Sequence, residues 1–319
     1  MSTNSTAPFT NRMYLRSDLE AAIRLSDAKY GKDKLLKRLR GVPVDIPWEV
    51  LPDSIKWNLC RAKLSRGCWD WKGWGLRSDW SVNVHTERFM PIWKGEGSLI
   101  VVAEEGVGDE IMAASCFNDL PPCVIECDVR LMPIFKRSFP QHHFIERLFT
   151  WPERKAYADH MLPLMDLFPM YRKSPTDCPG APYLIPDPER VEYWRGVLPS
   201  KTGVAWSSRH GKQKPFFVPG VSLQYGDHKT PEWLYKPDLD PVADFGDQIN
   251  LIAALDHVVS GPMSVVHAAG ALGVKVDVIM PPFGTGLVHN TLHWRYLTGL
   301  PFYNSARVHL NWHEYRKGK

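Results

Sequence analysis

The sequence predicts an α/β protein built on parallel sheets. Three observations carry that expectation. Two separate segments each run strand, glycine-containing turn, small-residue or apolar helix, strand, and each carries a proline pair at an element end. The length, 319 residues, suits two domains. Hydrophobic residues make up 44% of the chain, enough for sizeable cores.

The elements follow in chain order. Residues 1–12 are polar, lack an apolar core of the signal-peptide kind, and read as disordered. Residues 13–66 read as a helical N-terminal extension. Its amphipathic stretches are 15–25, 32–39 and 54–64, separated by Pro43, Pro47 and Pro52. Residues 99–103 (LIVVA) read as a buried strand. A turn over 104–110 follows, then an apolar helix over 111–120 ended by Pro121 and Pro122, then a strand over 123–127. Gly106 and Gly108 permit a tight turn and a close approach of a partner to the backbone. Asp109 and Glu110 fall in the first helical turn, where the helix dipole favours negative charge. Asp109 has a second reading, as a general base at the mouth of a cleft.

The proline-rich stretch 175–188 reads as a linker between two lobes. Downstream, residues 257–260 form a strand that breaks at Gly261-Pro262. A helix over 264–272 is capped by Gly273, and a strand over 274–280 stops at Pro281-Pro282. A helix N-terminus facing out from a strand's carboxyl end can bind phosphate. His267 lies one turn into that helix. It reads either as a satisfied core histidine or as a group within reach of whatever fills the turn.

Several blocks now resemble a known family. They are EEGVGDEIMAASCFNDL (104–120), VIECDVRLMPIFKRSFP (124–140), GVAWSS (203–208), SLQYGD (222–227) and DFGDQINLIAALDHVVSGPMSVVHAAGALGVKV (244–276). HWRY (293–296) and PFYNSARV (301–308) close the series. In order and spacing, over residues 67–308, they resemble the glycosyltransferase module associated with bacterial tetratricopeptide-repeat proteins, related to the lipopolysaccharide heptosyltransferases.

The resemblance implies GT-B architecture: two Rossmann-like lobes facing across a cleft. It divides the chain into 1–66, the extension; 67–188, an acceptor-side lobe; 189–300, a nucleotide-sugar donor lobe; and 301–319, a tail packing back on the first lobe. It implies transfer of a sugar from a nucleotide-sugar donor to an acceptor hydroxyl, inverting and metal-independent; a cytoplasmic location is expected separately, from cysteines that read as free thiols. No cofactor beyond the nucleotide-sugar co-substrate is expected, and no metal ligand set. Asp109 takes the role of base. Ser207, Ser208 and Lys212 match a hydroxyl pair and lysine at the donor phosphates, and Ser264 and His267 face the diphosphate and sugar. Gln224 is a candidate for the nucleotide base or ribose. Gly106 and Gly108, with Trp294 and Arg295, are cleft candidates. Pro262-Met263 replace the family's Asp-Thr, which predicts a donor other than ADP-heptose.

The acceptor is left open between a glycan, a protein and modified DNA. Residues 29–40 hold six basic residues against one acidic, and six tryptophans fall between Trp57 and Trp93 among further basic residues. Such a set can bind phosphate and stack bases, as a phage-type DNA glycosyltransferase would require, or can cover a sheet and coat a helix. A nucleotide-binding module without turnover is the third alternative. The six cysteines read as free buried thiols. A net charge of +4 does not by itself imply nucleic-acid binding. No apolar run reaches the roughly 20 residues a spanning helix needs.

Overall fold

The computed structural model describes residues 49, 51, 53–65, 69–76, 90–207, 213–225, 229–280 and 300–318. Helix α1 (Asp53–Ser65) corresponds to the expected stretch 54–64, whereas 15–25 and 32–39 lie outside the described residues. Trp57, Cys60 and Leu64 of α1 are buried in the main hydrophobic core.

Four short strands then build the first sheet: β1 (Leu99–Val102), β2 (Val124–Cys127), β3 (His143–Glu146) and β4 (His160–Pro163). Their order is β3-β2-β1-β4, and every neighbouring pair is parallel. Parallel pairing needs crossovers. Helices α2 (Val107–Ala113), α3 (Met132–Ser138) and α4 (Trp151–Lys155) supply them, and α5 (Leu167–Tyr171) follows β4. All four residues of β1 are buried, which is why LIVV reads as an unbroken apolar run rather than an alternation.

The expected helix 111–120 is corrected. The α-helix starts at Val107, nearer the strand, and tightens into a 3₁₀ segment over Ala114–Asp119. There the Arg172 guanidinium reaches the Ser115 carbonyl. Such tightening is common at helix ends.

The second sheet has six strands. Helix α6 (Pro188–Val197) leads into β5 (Thr202–Ala205), β6 (Gly220–Ser222) and β7 (Leu234–Tyr235). Helix α7 (Phe245–Ala253), β8 (His257–Ser260), α8 (Ser264–Leu272) and β9 (Lys275–Ile279) follow, then β10 (Ala306–His309) and α9 (Trp312–Lys317). The order is β10-β9-β8-β5-β6-β7, again parallel throughout. Gly273 ends α8 in the left-handed region (φ +77°), the backbone state that a glycine helix terminus supplies.

The tail is a second correction. It was expected to pack back on the first lobe, but β10 pairs with β9 and α9 lies against both strands, because β9 otherwise ends the sheet with unpaired backbone groups. Only its start turns to the first sheet's side: the Phe302 ring lies 5.9 Å from Trp69 and 5.4 Å from Phe168. The stretch 175–188 is likewise no loose tether, since the Tyr183 and Leu184 amides both donate to the Ala271 carbonyl of α8.

Candidate active site at the carboxyl ends of the two sheets

The chain leaves the carboxyl end of β1 through Ala103, Glu104, Glu105 and Gly106, and the first three are held from outside. The Ala103 amide donates to Glu126 Oε2 at 3.3 Å, and Glu104 Oε2 accepts the Met165 amide at 2.9 Å. Glu105 sits at φ +60°, a left-handed conformation costly for a side-chain-bearing residue. Arg147, just past β3, holds it there: Nη2 donates to the Glu105 carbonyl at 2.8 Å, and Nε donates to Glu110 Oε1 at 3.0 Å. The other oxygen of Glu110 accepts the Asp128 amide at 2.8 Å.

Glu110 is 1% exposed. Burial pushes its carboxyl up to about 7, against the pull of Arg147 and the Asp128 amide. Glu126 is also raised by burial, opposed by its hydrogen bonds and charge pairing with the buried Arg154. The sequence marks Glu110 only as a first-turn carboxylate and does not mark Arg147. They stand 37 residues apart, and local spacing carries no signal for such a pair.

Asp109 occupies the first turn of α2. Its amide and that of Glu110 both donate to the Gly106 carbonyl. A Cβ at Gly106 would lie 3.8 Å from Asp109 Oδ2, so the carboxylate folds over its own helix N-terminus, which favours negative charge. The dipole reading and the base reading describe the same position.

Helix α2 meets α8 here. A Cβ at Gly108 would lie 3.1 Å from Ser264 Cα and 3.2 Å from His267 Cδ2. Gly108 thus marks a close approach where the two helix N-termini abut, one that a Cβ would tighten. The structure thereby brings together Gly106, Gly108 and Asp109 from one sheet with Ser264 and His267 from the other. Ser264 is the first residue of α8, and Met263 before it is extended, largely buried, and provides no side-chain cap for the helix amides. His267 is 2% exposed, and its Nδ1 lies 3.0 Å from the Tyr303 hydroxyl.

The loop after β5 enters the same region, since the Gly261 amide donates to the Ala205 carbonyl at 3.0 Å. Ser207 is buried. Gln224 requires a correction. Its Oε1 accepts the Trp206 and Ser207 amides, each at 2.9 Å, and its Nε2 donates to the Ser207 carbonyl at 2.7 Å and the Tyr225 carbonyl at 2.9 Å. Four bonds fill the capacity of a carboxamide, so Gln224 braces the loop instead of offering an amide to a nucleotide. Ser208, Lys212, Trp294 and Arg295 lie outside the described residues.

An Asp-x-Asp spacing occurs in the second unit at Asp238 and Asp240, but Asp240 Oδ1 accepts the Val242 and Ala243 amides, a turn role. Among the described residues no group of three or more His, Cys, Asp or Glu is arranged to hold a metal ion. Nor is any helix long and apolar enough to cross a membrane.

Of the six tryptophans between Trp57 and Trp93, Trp80 is outside the described residues. The other five belong to the main core or pack against it. Trp71 and Trp74 meet edge to face at 4.9 Å, and their indole N–H groups donate to the carbonyls of Arg172 and Met165. A base-stacking platform needs open ring faces, so these residues serve as sheet cover and not as the DNA-reading surface weighed from the sequence.

No protein-family model matches the chain. Protein FlbA of Caulobacter vibrioides is 27% identical over 241 residues, covering 59% of this chain; the chain spans 40% of that protein's length. Among solved structures, the chain is similar to the glycosyl transferase family 9 from Veillonella parvula at a TM-score of 0.45 and 8% identity, covering 70% of this chain and 88% of that one. It is also similar to E. coli ADP-heptose lipopolysaccharide heptosyltransferase II at a TM-score of 0.42 and 14% identity, covering 66% and 90%. A third is the iron-containing dodecameric glycosyltransferase TibC from enterotoxigenic E. coli, at 0.41 and 14%, covering 63% and 67%.

Proposed function

We propose that the chain is a glycosyltransferase of GT-B architecture that moves a sugar from a nucleotide-sugar donor to an acceptor hydroxyl, with inversion and without a metal. The observation that carries this reading is the abutment of two helix N-termini at Gly108 and Ser264, which gathers Asp109, Ser264 and His267 at the carboxyl ends of two parallel sheets. Ligands of open α/β sheets bind at that end. A donor diphosphate would lie on the first-turn amides of α8, where no side chain of Met263 competes for them. Lys212 would neutralise the leaving diphosphate, the task a metal ion otherwise performs.

In the reaction the acceptor oxygen attacks the anomeric carbon from the face opposite the diphosphate. The carbon–oxygen bond to the diphosphate breaks, the nucleoside diphosphate departs with the electron pair, and Asp109 takes the acceptor proton. Pro262 and Met263 supply neither carboxylate nor hydroxyl at the start of α8, which favours a donor other than ADP-heptose.

A thermal-shift screen against nucleoside diphosphates and nucleotide sugars, with and without EDTA, tests the reading. A ligand that binds only the folded state raises the melting temperature. At least one nucleotide sugar should do so equally in both buffers and be turned over when acceptors are supplied. Stabilisation or turnover that requires a divalent ion overturns metal independence. No response to any nucleotide sugar overturns the transferase assignment.

A further inference from the structure

One buried carboxylate ties together the exits of three neighbouring strands at the carboxyl end of the first sheet. Glu110 stands in the first turn of α2, past β1. Its Oε2 accepts the amide of Asp128, the first residue past β2, at 2.8 Å. Its Oε1 accepts Nε of Arg147, the first residue past β3, at 3.0 Å, and Arg147 Nη2 reaches the same oxygen. All these partners donate. A carboxylate meets them with two acceptor oxygens, whereas a carboxamide would turn its N–H₂ toward one of them. A carboxylate that served only the helix dipole would stay in water, yet Glu110 is 1% exposed. The tie continues into the second unit. Asp128 holds Arg130 Nε and Nη2, each at 2.7 Å, and Arg130 Nη1 donates to the Val242 carbonyl at 2.8 Å. The Arg130 carbonyl lies against the start of α7, where a Cβ at Gly246 would come within 2.7 Å of it. The strand exit that Glu110 holds is thus one on which the second unit rests.

We infer that Glu110, gripped by Arg147, is the positioning residue that sets Asp109 against Ser264 and His267. Asp109 precedes it in the same helical turn, and the amides of both donate to the Gly106 carbonyl. Moving Glu110 off Asp128 or Arg147 turns α2 about its axis and carries Asp109 with it. Because α2 meets α8 closely at Gly108, such a turn is a displacement within the candidate site. Both Glu110 oxygens are engaged by the scaffold, so its effect on the chemistry passes through Asp109. That effect rests on the transferase reading, whereas the tie among the strand exits does not.

The test compares Glu110→Gln and Arg147→Lys with Asp277→Asn, a substitution within β9 of the second sheet. Glutamine keeps the shape of the side chain and loses one acceptor. Lysine keeps the charge and loses the fork that serves Glu110 and the Glu105 carbonyl together. Amide hydrogen exchange of the full chain, read by mass spectrometry, should rise over 103–113 and 124–130 in the first two variants and not over 257–279. Asp277→Asn should show the converse. With a nucleotide sugar found in the screen, Glu110→Gln and Arg147→Lys should lower kcat by about 10- to 100-fold, the cost of an ångström-scale misplacement, while donor affinity holds. Asp277→Asn should leave kcat unchanged. A Glu110→Gln chain with the unsubstituted kcat overturns the inference, as does a loss of kcat that Asp277→Asn shares, or exchange that rises equally over both sheets. If the strand exits loosen as stated while even the unsubstituted chain transfers no sugar, the tie stands and the transferase reading falls.

Discussion

Two buried carboxylates, one in each half of the molecule, are driven in opposite directions. Glu110 lies beneath the turn after β1, and burial pushes it up to about 7. Asp277 lies within β9, where burial also pushes upward, but hydrogen bonds from His257 and His309 prevail and hold it down at about 2. Each imidazole Nε2 takes one oxygen, at 2.8 and 2.7 Å, from the two strands flanking β9. Glu110 has a single arginine partner, 36% exposed, which also serves the Glu105 carbonyl. Two dedicated in-sheet partners outweigh desolvation, and one shared, solvent-screened partner does not. The second sheet locks its charge into the scaffold. The first keeps a carboxylate near neutrality next to Asp109.

Four perturbations, taken by size, sharpen that contrast. The first sheet's fully buried pair should respond most. Arg154→Met strands the Glu126 carboxylate and should cost about 3–5 kcal/mol in a urea titration. A far smaller loss would mean that Glu126 is protonated or hydrated, removing the buried charge from the first sheet.

Glu110→Gln comes next, read as stability against pH. The folded-state pKa is raised, so the native chain holds this proton more tightly than the unfolded chain. Its contribution is complete below about 4.5 and declines until pH passes about 7. At roughly 1.4 kcal/mol per pH unit that decline is on the order of 3 kcal/mol, and the glutamine variant should flatten it. An unchanged slope would place the titration elsewhere.

Asp277→Asn should cost roughly 1–3 kcal/mol at neutral pH, because one imidazole N–H then faces an amide N–H₂. Here the folded pKa is depressed. The aspartate's contribution is complete above about 3.8 and lost as pH falls toward about 2, so the variant should lack that acid limb. Acid unfolding of the variant that matches the unsubstituted chain would contradict the scaffold role.

The fourth perturbation bears on the helix contact. Gly108→Ala gains helix propensity of about 1 kcal/mol and meets Ser264 Cα at 3.1 Å. Net stability should change by less than about 1 kcal/mol, while any transfer that needs α2 and α8 in contact should fall. A variant with full transfer would show that the abutment is not part of the site.

How much of this was legible follows physical lines. Strands β1, β2, β8 and β9 were readable because they are apolar runs bounded by glycine or proline, and α8 because small residues end at Gly273. The tail's place was not. ARVH carries no marker of which sheet edge it joins, and only the bare edge of β9 decides it. Within the candidate site, Asp109, Ser264 and His267 are expectations carried by the resemblance of the blocks that hold them, and the structure sets all three in the first turns of α2 and α8. Gln224 was misread because its type suggested a ligand while its bonding, set by the β5 and β6 ends together, spends it on the backbone. Arg147 and Tyr303 act across 37 and 36 residues on Glu110 and His267, distances at which a sequence has no local period to show.

The most direct measurement is single-turnover transfer by Asp109→Asn from a nucleotide sugar found in the screen, with the anomeric configuration of the product read by NMR. The substitution keeps the shape of the side chain and removes the base. Transfer should slow by about 10²–10⁴-fold, donor affinity should hold, and the product of the unsubstituted chain should be inverted. Transfer by the asparagine variant at the unsubstituted rate, or a product with retained configuration, would contradict the account and leave Asp109 with its helix-terminal role alone.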